Sequence, residues 1–221
     1  VDVGLLRRDE PGALQTGHDA GEVARVHAQP PPQLDLLARL LVAVTAEESG
    51  LLGSEYYARN PTIPLAKTLA NINVDQLNVW GRAKDLTVIG FGASELDRYA
   101  SEAAAEQGRV LRPDAEPEKG FYYRSDHFSF AKRGVPSFFS ESGAEFIGQP
   151  ASYGKEKGDE WTNGDYHQPS DQVKDWWNLE GAAEDGKLFF AMGYRIANAT
   201  AFPDWTAGNE FRAIREKALG R

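Results

Sequence analysis

The sequence predicts an α/β fold, a three-layer sandwich with a mixed, largely parallel central sheet flanked by helices. Three observations lead there. Apolar runs of strand length alternate with amphipathic stretches from residue 40 onward, each run stops at a glycine or polar turn, and one segment near the end, 178–199, keeps a helical period well beyond strand length.

The elements follow in order. "LLVAVT", beginning at Leu40, reads as a strand buried on both faces, and residues 51–59 read as a short helix halted ahead of Pro61. "TLANINVD" and "LTVIGFG" are the next two strands. Ser94 is placed to cap the helix "ELDRYASEAAAEQG", which stops at Gly108. "SDHFSFAKRG" is a helix with Ser125 or Asp126 as its cap, and "VPSFFSE" is the strand that it feeds. A loop rich in Gly, Lys and Asp leads to the closing helix "NLEGAAEDGKLFFAMGYRIANA". Residues 1–39, with their triple proline and no sustained period, form an atypical, irregular segment, which leaves 40–221 as the folded domain.

Composition removes several classes of function. A net charge of -9 gives no basic surface for a phosphate backbone, so no nucleic-acid partner is expected. No apolar stretch is long enough to span a bilayer, so no membrane partner is expected either. With no cysteine among 221 residues, disulfides and thiolate metal sites are excluded, and His, Asp and Glu are the strong ligands left.

Ligands in such sheets gather beyond the carboxyl ends of the strands. There the sequence places Glu47 and Glu48 after the first strand, Asp75 after the second, and Tyr166 and His167 in the late loop "DYHQPSD". Oxygen and nitrogen donors of this kind suit a divalent ion such as zinc. A cation beside Glu48 would keep it ionised, and Glu47 would be left to take a proton from water.

"VTAEESGLLGSEYY", "NINVDQLN", "YYRSDHFSFAKRGVPS" and "DYHQPSD", in that order, resemble metallopeptidase family twenty-eight, the leucyl-aminopeptidase-like co-catalytic zinc exopeptidases, over residues 40 to about 215. The resemblance implies a peptide substrate with a free N-terminus, two zinc ions and a secreted or periplasmic location, although the chain shows no signal segment. It implies that Glu47 is the general base, that Glu48 and His167 bind one zinc and that Asp75 binds the other. Tyr166 would assist catalysis, and Tyr123, Arg124, Asp126 and His127 would lie on the substrate side of the pocket. The family also places a histidine and a bridging aspartate ahead of Glu47. Neither motif is found here; His18 and Asp19 in "TGHDAGEV" are the nearest substitutes, so that one zinc or none is a further expectation. The change in character at residue 40 fits a truncated or frame-shifted N-terminal part. Three readings stay open: an active aminopeptidase, a non-catalytic or truncated peptidase-like domain that binds a peptide or partner, and a zinc deacylase or aminoacyl cyclase of similar fold.

Overall fold

The computed structural model describes residues 2–7 and 37–221. Six strands form one sheet in the order β2-β1-β3-β6-β4-β5. They are β1 (Asp2–Arg7), β2 (Leu37–Val42), β3 (Thr68–Asn73), β4 (Asp85–Ile89), β5 (Val110–Pro113) and β6 (Ser137–Ser142). The sheet is mixed: β3 with β6 and β4 with β5 are parallel, whereas β1 runs antiparallel to both of its neighbours and β4 antiparallel to β6.

Helices cover both faces. On one side pack α2 (Leu96–Glu106) and α5 (Glu180–Ala197), and on the other α1 (Leu52–Arg59) and α3 (His127–Ala131). The period-2 alternation of strands explains this division. Ala70, Ile72, Phe138, Leu86 and Val88 point to the α2–α5 side and join Leu96, Ala100, Leu188, Met192 and Ile196 in the main core. Asn73 and Phe139, of opposite parity, face α3. Two further helices are α4 (Tyr153–Gly164) and α6 (Arg212–Ala218). Among the described residues, no helix is long and apolar enough to cross a membrane.

Most expected elements are present within a few residues of their expected bounds. Three expectations are corrected. Residues 2–7 are not irregular: they form β1, whose backbone pairs on both sides and closes the gap between β2 and β3. Leu40, Leu41 and Val42 are only half-buried, because β2 is an edge strand rather than a central one. The stretch after β6 contains a three-turn helix, α4, where a loop was expected. The rest of the N-terminal segment, 8–36, lies outside the described residues.

Candidate active site

Strand direction assembles the site. Because β1 is antiparallel to both β2 and β3, those two run the same way, and β6 runs with them. Val42 and Asn73 both pair with Asp2, so β2 and β3 end level with one another. The segments leaving these ends carry Glu47, Glu48 and Asp75.

Glu47 and Glu48 sit in a tight turn. The Glu47 carbonyl accepts hydrogen bonds from the amides of Gly50 (3.0 Å) and Leu51 (2.8 Å), and the Gly53 amide donates to the Thr45 carbonyl at 2.9 Å. Two non-glycine residues flanking the acidic pair, Ala46 (φ 58°) and Leu51 (φ 60°), adopt left-handed backbone. Such strain is held only where surrounding bonds over-determine it, as they do here. Glu47 is half-buried, whereas the Glu48 side chain is 70% exposed. Burial raises the Glu47 pKa above its ordinary value; Asp75, Asp126 and Glu48 add to the rise, and His167 opposes it.

His167 follows α4. Its ring lies 3.8 Å from that of Tyr166 at 28°, and Tyr166 in turn packs on Trp161 at 4.7 Å. The Tyr166 amide donates to the Trp161 carbonyl at 2.9 Å, and His167 itself is left-handed, with φ 57°. This stack and turn aim the imidazole back across the fold, with Nε2 3.6 Å from Glu48 Oε1. Burial, then Glu47, raises the Tyr166 pKa.

Asp75, on the exposed loop after β3, is reached by a buried relay. Asn73 Nδ2 donates to Ser125 Oγ at 2.7 Å, and Ser125 Oγ donates to Asp75 Oδ2 at 2.8 Å. Ser125 was expected to cap α3, yet neither it nor Asp126 makes a side-chain capping bond there. The spacing of "NINVD" and "SDH" marks these residues, but it does not reveal that they meet.

The other expected site residues divide. Asp126 is half-buried beside Asp75, and burial raises its pKa. Tyr123 and Arg124 are exposed. His127, expected on the substrate side, is instead wholly buried. It stacks on Phe139 at 4.9 Å and meets the Tyr122 ring edge at 4.8 Å, and burial pushes its pKa down to about 3. The reason lies in α3: its His127 side packs on β6, leaving Ser125 and Asp126 to face the strand ends. His18 and Asp19 lie outside the described residues.

The profile of Peptidase family M28 matches residues 20–190. The chain belongs to that family. The match starts ahead of residue 40, so the family sequence reaches further upstream than its motifs suggest. Among solved structures, the aminopeptidase from Aneurinibacillus sp. strain AM-1 is similar in fold, with a TM-score of 0.50 and 21% identity over 73% of this chain and 33% of that one. The chain thus spans about a third of that enzyme's length. No curated protein matches it.

The M28 family implies zinc. Two ligand atoms of one tetrahedral zinc stand about 3.3 Å apart, from bond lengths near 2.0 Å. The 3.6 Å gap between Glu48 and His167 needs little adjustment to meet that, so the pair fits. Among the described residues, no group of three or more His, Cys, Asp or Glu side chains could hold a metal ion.

Proposed function

We propose that this M28 chain carries the proton-transfer group and part of the metal-binding set of a zinc aminopeptidase, acting on peptides with a free N-terminus. The observation that carries this reading is the approach of His167 Nε2 to Glu48 Oε1, 3.6 Å, from loops more than a hundred residues apart. In this reading, Glu48 and His167 would hold one ion and Asp75 a second. Bound zinc supplies Lewis-acid polarisation of the scissile carbonyl and acidifies water.

The chain's own groups do the remaining work. A carboxylate oxygen of Glu47 accepts a proton from the attacking water and returns it to the departing amine, a role favoured by its raised pKa. Tyr166, held over His167, offers its hydroxyl to the developing oxyanion.

The test is Glu47→Gln. Zinc uptake should stay at the wild-type level while hydrolysis of a leucine anilide falls by about 100-fold or more. Unchanged turnover sinks the assignment. A second reading, a peptidase-like domain that binds peptides without cleaving them, is favoured by the absence of a third convergent donor among the described residues. Peptide binding by a wild-type protein that neither takes up zinc nor hydrolyses the anilide would select it.

A further inference from the structure

We propose that Asn73 and Ser125 are positioning residues for Asp75: a buried hydrogen-bond relay that fixes one carboxylate oxygen and leaves the other to meet a cation. The inference rests on the reading of Asp75 as a metal ligand.

The direction of the relay is set by chemistry. The Asn73 amide nitrogen can only donate, and the Ser125 hydroxyl has a single proton. Once Ser125 Oγ accepts from Asn73 Nδ2 at 2.7 Å, its own proton goes to Asp75 Oδ2 at 2.8 Å. Both relay residues are deep, Asn73 at 2% and Ser125 at 3% exposure, whereas Asp75 is exposed. An exposed aspartate otherwise samples several rotamers, and freezing them at the moment of binding weakens affinity. Here the ordering is done in advance by the end of β3 and the entry to α3.

Two alternatives fail on the same geometry. The Ser125 hydroxyl does not serve its helix, since α3 has no side-chain capping bond. Nor does strand pairing require an amide side chain at Asn73, because its backbone already pairs with β1 and β6. A buried amide and hydroxyl are costly to keep unless they satisfy something. What they satisfy is Asp75.

The experiment measures zinc affinity by chelator competition, and melting temperature with and without zinc, for the wild type, Asp75→Ala, Ser125→Ala, Ser125→Thr and Asn73→Leu. Groups that hydrogen-bond a metal ligand typically tune affinity by about 10–100-fold. Ser125→Ala and Asn73→Leu should therefore weaken the zinc site that Asp75→Ala removes by about 10–100-fold. Ser125→Thr, which keeps the hydroxyl, should restore it. Ser125→Ala also strands the buried Asn73 amide, so its zinc-free melting temperature should fall as well; a merely structural role would lower that temperature and leave affinity unchanged. Wild-type affinity in Ser125→Ala, with Asp75→Ala defective, overturns the relay and keeps Asp75 as a ligand. Wild-type affinity in Asp75→Ala, or no zinc uptake by the wild type, overturns the underlying reading and the relay with it.

Discussion

Gly53 shows how much of the acidic turn depends on one missing side chain. A Cβ at this position would stand 2.3 Å from the Thr45 carbonyl oxygen and 2.6 Å from its nitrogen, both backbone atoms. That close approach lets α1 begin directly beneath the Glu47–Glu48 turn. Gly53→Ala is therefore expected to push the turn away, destabilising the protein by about 1–3 kcal/mol as overpacking does. A lower urea midpoint together with loss of zinc uptake would be the signature; an unchanged midpoint would show that the turn is free to shift. The sequence displays the candidate acids, Asp75 and His167 as types at strand or loop ends. It does not display Asn73 and Ser125 as a unit, because they are 52 positions apart and meet only when α3 lies on β3. His127 shows the opposite failure. A histidine in a motif attracts a chemical role, while its location is decided by which side of a five-residue helix meets the sheet.

Between elements, the clearest junction is α1 against α3. Glu55 on α1 pairs with Arg59 in its own helix (2.7 Å), and with Lys132 (3.1 Å) and Arg133 (3.0 Å) at the end of α3. Ser54 donates to Ser129 at 3.0 Å, and Tyr57 packs on Phe130 at 5.7 Å between ring centres. The bond from Arg59, with help from Lys132 and Arg133, lowers the Glu55 pKa to about 2. A folded-state pKa below the unfolded 4.5 means that the unfolded chain binds the proton more readily. The stabilisation is thus present above pH 4.5 and is lost as the pH falls towards 2. Glu55→Gln should cost about 1 kcal/mol at pH 7 and clearly less at pH 2, where the folded-state carboxylate is about half protonated, read from denaturant unfolding at each pH. An equal cost at both pH values would assign the effect to packing instead of charge. Strong patterns such as those of β3, β4, α2 and α5 are legible in the sequence because each buries a defined face. The helix α4, "YGKEKGDEWTNG", is not legible, since it has no buried residue and three glycines. One of these, Gly154, is dictated by a neighbour: a Cβ there would lie 2.4 Å from the Ala144 carbonyl. Likewise β5 is a mostly exposed four-residue edge strand, and α6 is a short helix whose anchor is Arg215, buried with its Nη2 on the Thr68 carbonyl at 2.8 Å.

Across the whole molecule, the α2–α5 layer packs on the far half of the sheet, where β4 and β5 lie. That half is tied by a buried ion pair. Arg109, at the entrance to β5, donates through Nη1 to Asp185 of α5 at 2.6 Å and through Nη2 to the Asp85 carbonyl of β4 at 2.9 Å. The two side chains are only 3% and 10% exposed. Burial nevertheless raises the Asp185 pKa, with the attraction of Arg109 failing to offset it. Desolvation is therefore the larger effect on Asp185, and buried pairs of this kind contribute little net stability although breaking one is costly. Asp185→Asn should destabilise the fold by about 3–5 kcal/mol, because it strands a buried guanidinium without its counter-charge. The double change Arg109→Met with Asp185→Leu should recover most of that loss, since well-packed apolar side chains of similar volume replace such pairs at little or no cost. Urea unfolding of the two variants beside the wild type decides the matter. A double variant no more stable than the single one would mean that the pair is a net stabiliser.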